Sequence, residues 1–180
     1  YISIFFCVQI IALNLFAMQP KVTPVDYVRP QIDTHKSRWF FFSSASRPFG
    51  MVSLSPDTWT EGSWNSGYLY NSKEIRCFSH VHCWQLAGVP VMPTTGEVKG
   101  HKGMDAYKST YSHETEIVKP GYHKVELDTY QIRVELTSTS RVGMHRYTYP
   151  AGEKANVLFD VGALLAHGKT EKAAIHRISS

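Results

Sequence analysis

The strongest constraint on the fold lies between residues 121 and 164. Tyr130, Ile132, Val134 and Leu136 alternate with Gln131, Arg133 and Glu135. Successive side chains of a strand point to opposite faces, so this pattern sets one face against a core and the other in water. Lys119-Pro120-Gly121, Asp128-Thr129 and Pro150-Ala151-Gly152 are turn sequences. The spacing predicts strands over 121–127, 130–138, 141–149 and 156–164, joined as hairpins. Met51-Val52-Ser53-Leu54-Ser55 is a further alternating strand, ended by Pro56-Asp57. Val25-Asp26-Tyr27-Val28 reads as a short extended piece before Arg29-Pro30. Residues 39–42 are strongly apolar, and 58–70 read as a long loop rich in Gly, Ser, Trp and Tyr. No segment carries an apolar helical stripe. The expectation is an all-β fold, an antiparallel β-sandwich.

Composition narrows the function. The chain has 180 residues, 43% hydrophobic and 19% charged, enough for one domain with a real core. The net charge of +4 is modest and the Lys and Arg residues are scattered, which argues against a nucleic-acid partner. Ten Tyr, nine Phe and four Trp suit both β-structure and stacking on sugars. Residues 1–17 are apolar and uncharged and resemble the core of a secretory signal. A transmembrane anchor is the rival, but the run is short for a bilayer and Gln9 and Asn14 interrupt it. The division expected is a truncated signal peptide over 1–19 and a sandwich domain over 20–180 that is incomplete at its C-terminal end. Export to the periplasm, cell surface or medium follows from it. The chain starts with Tyr1 and stops at Ser180 straight after a hydrophobic segment, which reads as a piece of a longer protein. Of the three cysteines, Cys7 lies in the leader. Cys77 and Cys83 on one straight strand would stand too far apart to bridge, so free thiols are expected.

The candidate site lies in residues 76–96, RCFSHVHCWQLAGVPVMPTTG. If 77–84 is extended, Phe78, His80, His82 and Trp84 share one face, and Cys77, Ser79, Val81 and Cys83 share the other. Two imidazoles beside an indole suit a polyhydroxylated ligand: the indole offers an apolar plate, the imidazoles donors and acceptors for hydroxyls. The same pattern fits a half-buried strand whose histidines bond to the backbone. A metal site is disfavoured, because a strand sends the cysteines and the histidines to opposite sides and they cannot close one tetrahedron.

No Gly-x-Ser-x-Gly elbow, phosphate loop or dinucleotide fingerprint occurs. Inverting glycoside hydrolysis needs two carboxylates about 6.5–9.5 Å apart, and no pattern here nominates such a pair. His101, His113, His123, His145, His167 and His176 are scattered and read mostly as surface or hairpin residues.

Several stretches together resemble the N-terminal domain of the glycoside hydrolase family 92 α-mannosidases. They are Val28-Arg29-Pro30-Gln31-Ile32-Asp33-Thr34, Arg47-Pro48-Phe49-Gly50-Met51-Val52 with Leu54-Ser55-Pro56-Asp57-Thr58, and Cys77-Phe78-Ser79-His80-Val81-His82. Met92-Pro93-Thr94-Thr95-Gly96, Pro120-Gly121-Tyr122-His123, Glu135-Leu136-Thr137, and Arg141-Val142-Gly143 leading to His145-Arg146-Tyr147-Thr148 complete the set. The resemblance implies a sandwich of the supersandwich, galactose mutarotase-like type joined to an (α/α)6 barrel. It implies an exported, calcium-dependent, inverting exo-α-mannosidase acting on N-glycans or mannan. The catalytic acid, the base and most calcium ligands would come from the barrel, so this piece alone would be inactive. Sugar contact carries over to Trp84, with His80 and His82 beside it, and to Phe49, Gly50 and Asp57 as further candidates. A stand-alone carbohydrate-binding module or a purely structural sandwich remains the alternative.

Overall fold

A computed structural model describes residues 22–35, 44–60, 67–82, 86–163 and 170–179. The leader, residues 39–42, Cys83 and Trp84 lie outside the described residues. The strands in chain order are β1 (Ser55–Asp57), β2 (Glu74–Ile75), β3 (Cys77–Ser79), β4 (Val81–His82), β5 (Leu86–Ala87) and β6 (Val91–Thr95). β7 (Ser109–Thr110), β8 (Ile117–Lys119), β9 (Tyr122–Leu127), β10 (Ile132–Ser138), β11 (Gly143–Thr148) and β12 (Ala155–Phe159) follow. One four-stranded sheet has the order β1-β3-β6-β12, and a second the order β11-β10-β9-β8. The pairs β2–β7 and β4–β5 stand apart from both, and all pairing is antiparallel.

The predicted alternation is visible in β10, where Ile132, Val134 and Leu136 are buried and Arg133 and Thr137 are exposed. These residues join Val125 and Leu127 of β9 in one core cluster with Leu54, Ile75, Phe78 and Met92 from the other side. The two sheets therefore enclose a shared core as a sandwich. Each such aliphatic side chain contributes about 1.5–3 kcal/mol by leaving water.

Several local expectations are corrected. Residues 24–27 form a 3-10 turn, not an extended piece: Thr23 N and Oγ1 both donate to Asp26 Oδ2 at 2.7 Å, with Pro24 at the first helical position. Pro56 and Asp57 do not end a strand but lie within β1, which is an edge strand and tolerates a residue without an N–H. The 58–70 loop is pinched by an isolated bridge between Trp59 and Gly67. The polar stretch after Gly96 holds a 3-10 turn (Gly100–Lys102) and one helical turn, α1 (Met104–Tyr107). No helix among the described residues is long and apolar enough to cross a membrane.

Candidate functional site

The extended reading of 77–84 fails at His80. β3 stops at Ser79, the chain bends, and β4 resumes at Val81 to pair with β5. The bend turns His82 back onto the face it was expected to avoid. Its Nε2 lies 2.7 Å from Asp57 Oδ1 and 3.2 Å from Ser79 Oγ, and its Nδ1 is 2.5 Å from the Ser53 carbonyl. A carbonyl and a carboxylate both accept, so both ring nitrogens donate and His82 is an imidazolium paired with Asp57. Burial opposes that charge, but Asp57 and the Ser53 carbonyl outweigh it and raise the His82 pKa. Both side chains are fully buried. Cys77 donates its thiol to Asp57 Oδ2 at 3.4 Å, and burial together with that carboxylate holds the thiol well above its ordinary range. Cys77 is a free cysteine, as its spacing from Cys83 predicts.

His80 points the other way. Its Nε2 lies 2.9 Å from Nε2 of His145 on β11, whose Nδ1 is 2.8 Å from the Tyr147 hydroxyl. Two facing ring nitrogens at this distance share one proton, so both cannot be charged. Burial, with His80 adding to it, pushes the His145 pKa down to about 4. Burial lowers His80 too, helped by the charge on His82. Glycine is required opposite: a Cβ on Gly143 would stand 2.4 Å from His80 Cδ2 and 3.2 Å from Val52 Cγ1.

The Arg47–Met51 turn abuts the same end. Met51 N donates to Ser140 O at 2.8 Å, and Ser53 N donates to His80 O at 2.9 Å. Residues 51–53 thus tie the turn to both histidines. Phe49 adopts φ +59° with its ring in open solvent, a backbone region that few non-glycine residues occupy. Gly50 is confined, since a Cβ would lie 3.1 Å from Arg47 O. The structure therefore gathers Phe49, Gly50, His80, His82 and Asp57 at one end of the sandwich. It leaves Phe49 presented to solvent and His80 half-buried, and it closes His82 and Asp57 from direct contact with any ligand.

Residues not nominated from sequence complete the picture. His145 and Tyr147 share the less exposed side of β11, so His145 is not the surface or hairpin residue expected from the sequence. His123 and His113 are not loose surface histidines. The Glu116 carboxylate accepts from His123 Nε2 at 2.8 Å, His113 Nδ1 at 2.6 Å, the Tyr68 hydroxyl at 2.9 Å and Gln31 Nε2 at 3.2 Å. Ser44 Oγ lies 2.7 Å from the second nitrogen of His123. Burial raises the Glu116 pKa, but the bonds from His123, His113 and Tyr68 reverse that and hold it low. This network fastens the segment around Gln31 to the second sheet. Calcium requires a shell of six to eight oxygens. Among the described residues no group of three or more His, Cys, Asp or Glu side chains could hold a metal ion. The buried carboxylates Asp57 and Glu116 are engaged with histidines, so these residues do not fit a calcium site.

Residues 27–180 match the family model described as the glycosyl hydrolase family 92 N-terminal domain. The chain is 36% identical to the family GH92 α-mannosidase BT3965 from Bacteroides thetaiotaomicron in complex with mannoimidazole, with a TM-score of 0.66 over 74% of this chain and 19% of that one. Another structure of BT3965 gives 35% identity and a TM-score of 0.68 over 78% of this chain and 20% of that one. The family GH92 inverting mannosidase BT2199 from Bacteroides thetaiotaomicron VPI-5482 gives 25% identity and a TM-score of 0.66, covering 77% of this chain and 20% of that one. The chain thus spans about a fifth of the length of these structures. No curated protein matches it.

Proposed function

The chain belongs to glycosyl hydrolase family 92, as its N-terminal domain, and from that premise we propose that it is the sandwich half of an exported α-mannosidase. The observation that carries this reading is the family match over 27–180 together with identity to an α-mannosidase bound to mannoimidazole. The whole enzyme removes terminal mannose from N-glycans or mannan with inversion and depends on calcium. Residues 1–19 serve as its signal peptide and 20–180 as its first domain. The acid, the base and the calcium ligands lie in the second, barrel domain.

Within this half, His80, Phe49 and Gly50 form the rim offered to the sugar, and Trp84 is the residue the family resemblance nominates for stacking. Trp84 stacks on a sugar face, and His80 offers a ring nitrogen to a hydroxyl. His82 and Asp57 act beneath them, fixing the bend that aims His80. The test uses the full-length enzyme. Trp84→Ala lowers kcat/KM by roughly thirty- to a thousand-fold, corresponding to about 2–4 kcal/mol for a stacked aromatic, with little change in Tm. A large drop in Tm with near-normal kinetics would place the indole in the core instead. The 180-residue chain alone releases no mannose from α-mannosides, with or without calcium; calcium-dependent turnover by it would place the acid and base inside these residues.

A further inference from the structure

His80 and His145 bring two imidazole nitrogens together across the sandwich. His80 sits at the bend between β3 and β4, and His145 lies on β11 of the second sheet, 65 residues later. Their Nε2 atoms are 2.9 Å apart, and the rings incline at 46° with centroids 4.8 Å apart. A single proton bridges two nitrogens at that distance, so one of them always turns its lone pair toward the other. Both rings are fixed by other contacts. Phe78 meets His145 edge-on, and the Ser53 N–H holds the His80 carbonyl at 2.9 Å.

The spacing is that of two neighbouring ligands on one metal ion. Imidazole binds late first-row divalent ions with metal–nitrogen bonds of about 2.0–2.1 Å. Neighbouring positions of a square-planar or tetragonal ion meet at a right angle, which sets the two nitrogens roughly 2.8–3.0 Å apart. A tetrahedral ion spreads them to roughly 3.3–3.4 Å. Copper(II) takes the tetragonal geometry and stands highest in the affinity order, so it suits this gap better than zinc.

The neighbours suit it as well. His145 Nδ1 lies 2.8 Å from the Tyr147 hydroxyl. With an ion on Nε2, the ring carries its proton on Nδ1 and donates it to that oxygen, the bond that orients a metal-bound imidazole. Gly143 keeps a side chain away from the other ligand atom, since a Cβ there would stand 2.9 Å from His80 Nε2. The two neutral rings hold two protons with or without the ion, so binding needs no proton to leave.

We propose that His80 and His145 form a two-histidine site for a tetragonal transition-metal ion, copper(II) by preference, which straps the bend before β4 to β11. No third His, Cys, Asp or Glu joins them among the described residues, and solvent oxygens take the remaining positions. The site is separate from any calcium site, because calcium and magnesium take oxygen ligands and leave an imidazole pair alone. It does not rest on the mannosidase reading, and its test needs no substrate.

The full-length enzyme, saturated with calcium, is titrated with copper(II) sulfate and followed by electron paramagnetic resonance and by Tm. The first equivalent is expected to give a tetragonal spectrum split by two nitrogens. It also raises Tm, because an ion that binds only the folded chain stabilises it. His80→Gln and His145→Gln each weaken binding of that equivalent at least ~10-fold, and Tyr147→Phe, which leaves both ligands in place, weakens it about 10-fold. Equal copper binding by the native protein and both Gln variants overturns the proposal, as does a first equivalent without imidazole nitrogens. Anomalous diffraction at the copper edge, from copper-soaked crystals of the native enzyme, makes the test independent of how the variants fold. A peak between the two Nε2 atoms is expected; no peak, or peaks only elsewhere, overturns the proposal.

Discussion

Replacing Asp57 by Ala removes one half of a fully buried ion pair and strands the other. The His82 ring keeps its bond to the Ser53 carbonyl, but Nε2 retains only the Ser79 hydroxyl at 3.2 Å. Cys77 loses its acceptor as well. Removing one partner from a buried pair costs about 3–5 kcal/mol. His82 has one escape: it can shed its proton, so that Nε2 accepts from Ser79. The lower end, about 3 kcal/mol, is therefore expected near neutral pH, or roughly 6–12 °C in Tm for a chain of this size. The escape fixes the sign of the pH dependence. In the native protein the His82 pKa is raised above its unfolded value of about 6.5, so the pair's stabilisation is complete below that value and fades as pH rises through the raised one. Without Asp57 burial outweighs the remaining pull of the Ser53 carbonyl on the ring, and the variant loses stability as pH falls below about 6.5. The gap between native and variant therefore widens toward acid. Urea melts followed by circular dichroism, at about pH 5.5 and about pH 8.5, bracket the ordinary histidine range and read this directly. A gap below about 1 kcal/mol, or one that is flat with pH or wider in alkali, would refute the ion-pair reading.

Three further outcomes follow from the same geometry. Gly143→Ala pushes its Cβ into the His80 ring and breaks the bond to His145, at about 1–3 kcal/mol of overpacking; equal Tm values for both proteins would contradict the close approach. The His80–His145 contact needs uncharged rings, and the His145 pKa is lowered to about 4, so its stabilisation is present above the unfolded value near 6.5 and lost as pH falls toward 4. His145→Gln should flatten that acid limb of the stability profile, and an unchanged limb would assign it elsewhere. Cys77 should resist thiol reagents in the folded protein and react only on unfolding, because it is buried and its thiol is held protonated; rapid labelling of the native chain would show an open site.

The hairpins of the second sheet were legible because one physical cause acts on them alone. β9 and β10 have one face in the core and one in water, so hydrophobic alternation reports their structure directly. The first sheet hid itself for the opposite reason. β1 and β3 are buried throughout, and Asp57, Cys77 and Ser79 are interior polar residues satisfied by one another and by His82, while the Ser55 hydroxyl donates to the Pro56 carbonyl. A polar residue in such a strand looks solvated until its partner is known, and here the partner of Asp57 lies 25 residues away. Pro56 misled for a related reason, since a proline ends a strand only where its neighbour needs the missing N–H. The bend at His80 has no local signature, because it follows from β4 leaving the sheet to pair with β5. The Glu116 network was equally out of reach, being assembled from Gln31, Tyr68, His113 and His123 on four separate segments.

His80 and His82 sit two residues apart and are driven in opposite directions. His82 is held charged by Asp57, and that charge is one of the causes keeping His80 neutral. The neutral His80 in turn is what His145 can share a proton with. One bend thus converts a repeated residue type into an anchor and a ring-nitrogen donor or acceptor at the surface, the two linked through Ser53, whose N–H and C=O serve one histidine each. Acid charges the His80–His145 pair and alkali discharges the anchor, so the rim holds its shape only between those limits. Residues that resemble a sugar-binding pair in sequence are therefore divided in the fold: His80 is left where a hydroxyl could reach it, and His82 is spent on keeping it there.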